Sequence, residues 1–480
     1  MRTERYDLVV IGGGPAGIEG ACTAAHFGRR VALVERCRDL GGACANTGTL
    51  PSKTLRETAL ALTGLRARNL YGVDLSLRRA VTVRDLMYHE ARVVAGERDE
   101  MGTRLEREGV ERYCGVARFV DPHTIRVTAG EGGEPGATDE VLLETENVLI
   151  AIGSRPLQPP EFPFAHDRVF DSDEILALHR LPRSLAVVGA GVIGSEYACT
   201  FAALGARVDV IDGRDELLSF LDAEISEALE SAMRARLGVR FRWREHVLSC
   251  RAPEAPDAPI ELGLASGERL EVDAVLVAAG RWSPTDALDL GAAGIAAGKN
   301  GLLSVDACFR TSVPHVYAVG DVIGFPALAA TSMEQARVAM ARAFDIRLKE
   351  DLAPILPFGV YTIPEAGVAG KSEEDLRKEG VDCVVGRASY GRNARGRILG
   401  DSTGMLKLVF RRGDMKLLGV HVLGDQATEL VHVGLAALLV GADASLFNRM
   451  CFNYPTLGDL YKDATYDALA KTVAPAQPRS

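Results

Sequence analysis

The chain has 480 residues, 47% hydrophobic and 25% charged, which describes a globular protein with room for about three domains. Its 55 basic and 65 acidic residues leave a net charge of −10, which argues against nucleic acid or an anionic membrane as the main partner. No apolar run reaches the roughly 20 residues of a membrane span, and no apolar leader with a cleavage site precedes Leu8. The nine cysteines, an odd count, show neither C-x-x-C nor zinc-like spacing, and His421, His432 and the other histidines show no ligand spacing. The expectation is a cytoplasmic protein with no metal site and no membrane attachment.

The first pattern in the chain runs from Leu8 to Glu35: an apolar run, a glycine turn, a helical stretch, a glycine, and a β-branched run ending in an acid. A helical segment is expected from about Ser52 to Leu70, then a β-rich patch around Val110 to Ile150, broken by a Gly/Glu-rich turn at Gly130 to Gly136. From Leu185 to Asp212 the first pattern returns 177 residues on: Gly12, Gly14, Gly17, Gly28 and Glu35 match Gly189, Gly191, Gly194, Gly205 and Asp212. Arg269 to Gly280 reads as one strand, and Ala307 to Asp321 closes on Y-A-V-G-D. From about Pro354 the texture changes to short strands and helices, with strands expected at Met405–Phe410 and Leu417–Leu423 and a disordered Pro/Ala-rich tail from Val473.

Strand, glycine turn, helix and strand form the opening of a Rossmann unit, and each copy ends in an acid 18 residues past the third glycine of its turn, Gly17 or Gly194. The first glycine makes the tight turn, the second lets backbone approach a pyrophosphate, and the third packs helix on strand. The helix N-terminus then offers unpaired N–H groups to the phosphates. The acid is placed to accept hydrogen bonds from a ribose. Two copies mean two dinucleotides.

These fingerprints, with G-G-A-C at Gly41–Cys44, P-S-K-T-L at Pro51–Leu55, L-I-A-I-G-S-R-P at Leu149–Pro156, A-G-R at Ala279–Arg281 and Y-A-V-G-D at Tyr317–Asp321, resemble the pyridine nucleotide–disulfide oxidoreductases. The resemblance implies an α/β fold of two Rossmann-like domains, for FAD and NAD(P), followed by a C-terminal α+β dimerisation domain. Expected boundaries are 1–155 with 282–345 for FAD, 156–281 for NAD(P), 346–470 for dimerisation and 471–480 for the tail. A homodimer, or a higher homo-oligomer built from it, follows as the expected assembly.

Two departures matter. The family's C-x-x-x-x-C has Cys44 but Thr49 as its second member, and the C-terminal H-P-T-x-x-E reads Tyr454-Pro455-Thr456-Leu457-Gly458-Asp459. A thiol relay needs two thiols and a base, and both are missing together. That pairing, with R-D-E-L-L-S-F-L-D at Arg214–Asp222 and F-N-Y-P-T at Phe452–Thr456, resembles the soluble, Si-specific transhydrogenase branch of the family. The branch implies hydride exchange between NADPH and NAD⁺ by ping-pong turnover through bound FAD, with no redox disulfide. An NAD(P)H dehydrogenase using a quinone or other soluble acceptor, and a non-catalytic flavin-bearing nucleotide sensor, are the alternatives.

The resemblance assigns Lys53 and Glu196 to an ion pair beside the flavin and the nicotinamide, with a structural ion pair as the plain alternative. To FAD it assigns Gly12, Gly14, Gly17, Glu35, Arg36, Gly42 and Cys44, then Thr49, Gly115, Gly153, Gly320 and Asp321. To NAD(H) and NADP(H) it assigns Gly189, Gly191, Gly194, Asp212, Gly280 and Arg281. Arg214, two residues past the acid, is placed to pair with an NADP 2′-phosphate, or it is a solvated surface arginine. Cys44 is read as a small residue lining the cleft or as an unpartnered redox thiol, and Tyr454 and Asp459 as filling the old thiol site from a neighbouring subunit.

Overall fold

The computed structural model describes residues 2–63, 82–129, 140–255, 258–347, 349 and 351–472. The expected turn at Gly130–Gly136, the end of the Ser52–Leu70 segment and the tail from Val473 lie outside them. Three sheets organise the chain. In the first, Arg2–Ile11 lies between Val31–Glu35 and Val141–Ile150, all parallel, with Glu111–Cys114 beyond Val31–Glu35. The antiparallel pair Val116–Asp121 and Thr124–Thr128 continues from Val141–Ile150, and the late strand Val316–Ala318 returns to pair in parallel with residues 148–150. Leu8, Val9 and Val10 are fully buried, as a strand covered on both faces requires. Helices Pro15–His26 and Ala329–Ala343 pack together beside this sheet.

The second sheet repeats the plan with five parallel strands in the order Arg240–Trp243, Arg207–Asp212, Ser184–Val188, Ala274–Val277 and Val169–Asp171. The expected single strand over Arg269–Gly280 is two strands. Arg269–Val272 belongs to a separate antiparallel sheet with Ile260–Leu264 and Val247–Arg251, while Ala274–Val277 enters the parallel sheet. The break is Asp273, whose carboxylate accepts from the N–H groups of Arg183 and Ser184 at 2.8 and 3.2 Å. A strand-like stretch read without its partners cannot reveal a change of sheet at one residue.

The C-terminal unit is an antiparallel five-stranded sheet in the order Phe358–Val360, Ala366–Gly370, Leu417–Leu423, Met405–Arg411 and Cys383–Ser389. Helices Ala427–Leu439 and Leu460–Ala470 pack on it, burying Val420, Val422, Val431 and Tyr461 in one core. The helix expected from about Ser52 begins three residues earlier, at Thr49, and runs to Leu62. Among the described residues, no helix is long and apolar enough to cross a membrane.

Candidate active site

The two glycine turns are built alike. Gly12 and Gly189 take φ of 108° and 107°, and their N–H groups donate to Val34 O and Ile211 O, both at 2.8 Å. A Cβ at either would collide with a carbonyl of the neighbouring strand end, Ala151 O or Ala278 O. A Cβ at Gly17 would enter the Gly12 carbonyl, and one at Gly194 the Gly189 carbonyl, which is why helix and strand approach so closely there. Gly14 and Gly191 cap helices Pro15–His26 and Val192–Ala203 with no side-chain hydrogen bond, leaving the first-turn N–H groups available to an anion.

These positions yield a prediction that separates packing from binding. Gly191 has φ of −75° and nothing within 4 Å of an added Cβ. Gly191→Ala is expected to fold and melt like the parent while raising KM for nicotinamide nucleotides at least about tenfold, by occupying the space where pyrophosphate nears backbone. Gly194→Ala is expected to lower the melting temperature instead, since its Cβ meets the Gly189 carbonyl. Parallel melting curves and KM values check both.

The acids occupy matching places. Glu35 accepts from Gly13 N at 2.6 Å and Cys37 N at 2.9 Å; Asp212 accepts from Ala190 N at 2.6 Å. Around the first turn, Gly41 N donates to Gly13 O at 2.7 Å, and a Cβ on Gly42 would lie 3.1 Å from the Gly14 Cα, so two backbone segments line one cradle. Gly115 N donates to Glu35 O at 2.9 Å, and Arg36 follows Glu35 in the next loop. Gly153 and Gly320 have φ of 68° and 79°, and Asp321 accepts from Ser154 Oγ at 2.6 Å. Thr47 Oγ1, at the C-terminal end of the short helix Gly42–Asn46, is buried with no hydrogen-bond partner. Open helix N–H groups, a cradle that side chains would fill and an orphaned hydroxyl fit an FAD-sized dinucleotide.

Arg214 lies directly on the acid of the second turn. Its Nε and backbone N donate to Asp212 Oδ1, each at 2.9 Å, and its Nη2 to Oδ2 at 2.7 Å. Burial alone would raise the Asp212 carboxyl, but Arg214 and the Ala190 N–H outweigh it and hold the group down at about 2. Arg281 does not join this turn. Its guanidinium reaches Ser154 Oγ at 2.8 Å, Ser154 O at 2.9 Å and Asp173 at 3.1 Å, so it stands with Ser154 and Asp321 at the junction of the two nucleotide domains. Gly280, with φ of 122°, accepts from Leu157 N through its carbonyl at 2.9 Å just before it.

Lys53 and Glu196 meet although 143 residues separate them, with Nζ 2.6 Å from Oε2. The Glu196 side chain is 6% exposed and that of Lys53 25%, so the lysine is partly open to solvent while the carboxylate is enclosed. The second Glu196 oxygen accepts from Tyr361 N at 2.9 Å, and Lys53 Nζ stands 5.1 Å over the Tyr361 ring. Neither Tyr361 nor Ser154 was singled out from the sequence, since no local spacing connects either to its partners.

Cys44 and Thr49 are neighbours across the turn that starts helix Thr49–Leu62. Burial raises the Cys44 thiol above its ordinary range, and the hydrogen bond with Thr49 offsets this only in part. All nine cysteines are free. Tyr454 projects from the C-terminal unit with 77% of its surface exposed, and Asp459 begins helix Leu460–Ala470.

With this geometry in place, the comparisons define the class. The pyridine nucleotide-disulphide oxidoreductase model matches residues 6–343 and the family's dimerisation-domain model residues 356–465, so the chain belongs to the pyridine nucleotide-disulphide oxidoreductase family. Within it, the chain is 45% identical over 466 residues to the soluble pyridine nucleotide transhydrogenase of Mycobacterium tuberculosis (strain ATCC 25177 / H37Ra), covering 97% of each. It is 40% identical over 475 residues to that of Chromohalobacter salexigens, covering 98% of this chain and 99% of the relative. Among solved structures it resembles LpdA of Mycobacterium tuberculosis with a TM-score of 0.87 at 25% identity, over 99% of this chain and 100% of that one. The HOCl-induced flavoprotein disulfide reductase RclA of Escherichia coli matches with a TM-score of 0.84 at 26% identity, over 96% and 99%.

Proposed function

We propose that this chain is an FAD-dependent, Si-specific transhydrogenase that exchanges reducing equivalents between NADPH and NAD⁺, one nucleotide following the other through a single pocket. The observation that carries the reading is the Cys44–Thr49 pair: a hydroxyl stands where a disulfide relay would need its second sulfur. The relatives at 40 and 45% identity, both named soluble pyridine nucleotide transhydrogenases, support it. FAD supplies a two-electron carrier able to accept a hydride equivalent from one nicotinamide and return it to another.

The chain's own residues bind, orient and discriminate. The Gly12–Gly17 turn with Glu35, together with Gly320 and Asp321, would hold the flavin dinucleotide. The Gly189–Gly194 turn with Asp212 holds the nicotinamide dinucleotide. Lys53, kept in place by Glu196, would present positive charge to the bound flavin and nicotinamide. The Asp212–Arg214 pair suits a pocket that serves both nucleotides. Asp212 accepts the ribose hydroxyls of NAD(H), and Arg214 moves to the 2′-phosphate of NADP(H) and offsets its repulsion by the acid. Tyr454, exposed on the C-terminal unit, supports a homodimer assembled through that unit.

Steady-state assays with NADPH and thio-NAD⁺, against NADPH and a quinone, test the reading: parallel-line kinetics with the first pair and slow quinone turnover are expected. Rapid quinone reduction with negligible thio-NAD⁺ reduction would replace it with a dehydrogenase, and inertness toward both with a sensor. Transfer of the 4S deuterium of labelled NADPH tests the stereochemistry. Assayed with NADPH and then NADH as the donor to thio-NAD⁺, Arg214→Ala is expected to raise KM for NADPH by about tenfold and for NADH by less than about threefold; equal changes would remove its phosphate role.

A further inference from the structure

We propose that Tyr361, in the C-terminal unit, is a positioning residue for Lys53, and that residues 361–365 form a strap that sets the two dinucleotide sites in register. Lys53 lies on helix Thr49–Leu62 of the first nucleotide domain and Glu196 on helix Val192–Ala203 of the second. Neither domain alone fixes the distance between them. The strap joins strands Phe358–Val360 and Ala366–Gly370 and touches both helices at residues three apart, which share a helix face.

On the first helix the partners are Lys53 and Arg56. Lys53 Nζ stands over the Tyr361 ring at 5.1 Å, within cation–π range. Arg56, with a side chain 4% exposed, donates from Nε to Thr362 O at 3.0 Å and pairs with Glu365 at 3.1 Å. On the second helix they are Glu196, which accepts from Tyr361 N at 2.9 Å, and Cys199, whose Sγ lies 4.0 Å from Ile363 O. Tyr361 therefore acts on both members of the ion pair, by its backbone on the carboxylate and by its ring on the ammonium. A lysine one quarter exposed could otherwise follow Glu196 in several rotamers or turn toward solvent. The ring face favours the one rotamer that keeps the charge at the cleft.

This inference rests on the reading that Lys53 faces the meeting point of the cofactors, and the experiment separates the two. The full-length holoenzyme is assayed for NADPH to thio-NAD⁺ exchange as wild type, Tyr361→Phe, Tyr361→Leu, Tyr361→Trp and Lys53→Met, with a melting curve for each. Tyr361→Phe and Tyr361→Trp keep an aromatic face and are expected to retain kcat within about twofold. Tyr361→Leu keeps apolar bulk without that face and is expected to lose about tenfold in kcat, with KM for NADPH within about twofold. Tyr361→Leu turning over like wild type while Lys53→Met is inactive would overturn the positioning role and leave the function intact. Tyr361→Phe as slow as Tyr361→Leu, or Tyr361→Trp slow despite a normal melting curve, would also overturn it. Full activity in Lys53→Met would instead sink the underlying reading. Should Tyr361→Leu not fold, the phenylalanine and tryptophan variants still decide the matter.

Discussion

Lys53→Met is expected to lower kcat for nucleotide exchange by roughly two to three orders of magnitude while the purified protein keeps its FAD, the scale seen when one preorganised electrostatic partner is removed from an enclosed site. The substitution preserves the length and flexibility of the side chain, so packing changes little and charge is what is lost. Glu196 is left with only the Tyr361 N–H, and its carboxylate is 6% exposed. Glu196→Gln, whose single carbonyl oxygen can keep one of the two contacts, to Lys53 Nζ or to Tyr361 N, should be milder, at about tenfold. Stopped-flow loss of the flavin absorbance on mixing with NADPH measures the effect directly. A reduction rate within about threefold of wild type for Lys53→Met would mean that the 2.6 Å pair is a structural tie and nothing more.

The largest expected effect on stability lies elsewhere, at Lys407. It is 1% exposed in the strand Met405–Arg411, and its Nζ contacts Asp222, Glu224 and Glu373 at 2.8, 3.1 and 3.0 Å. Asp222 caps helix Ala223–Leu237 at the end of the loop that carries Arg214, so this cluster fastens the nucleotide-site loop to the C-terminal unit. Lys407→Met removes the cation from a fully buried carboxylate, and such losses cost about 3–5 kcal/mol. The pH dependence has a definite sign. Burial works to raise the Asp222 carboxyl, yet His421 and Lys407 overcome it and hold the group below the ordinary aspartate range. In the wild type that depressed value gives stability present above the unfolded aspartate pKa and lost as pH falls through the folded one. Without Lys407 the balance reverses, and protonation of Asp222 relieves an unpaired charge. The deficit of the variant should therefore shrink between about pH 7 and about pH 5 in urea melts. A constant deficit would place the loss in packing, not charge.

The sequence made the glycine turns legible because their chemistry is local. Each demands three small residues, a helix start and an acid at fixed spacing, and the structure shows near-identical φ at Gly12 and Gly189. The Cys44–Thr49 substitution was equally open, since it concerns two residue types five positions apart. Other features depend on contacts between distant segments and leave no periodic trace. Tyr361 reaches Glu196 across 165 residues and Arg281 reaches Ser154 across 127, and neither pairing has a spacing rule. Lys407 is harder still, because a lysine inside a strand reads as its solvent face until three acids from elsewhere close around it. The change of sheet at Asp273 was hidden because the alternating Arg269–Val272 and the apolar Ala274–Val277 are both strand-like and only one polar residue divides them.

The central claim is that reducing equivalents leave by the pocket through which they arrived, and paired steady-state assays on wild type and Cys44→Ser test it most directly. Each protein is given NADPH with thio-NAD⁺, and NADPH with glutathione disulfide or lipoamide. The account predicts thio-NAD⁺ reduction within about twofold in the two proteins and no disulfide reduction by either. Measurable disulfide reduction by the wild type that disappears in Cys44→Ser would contradict it.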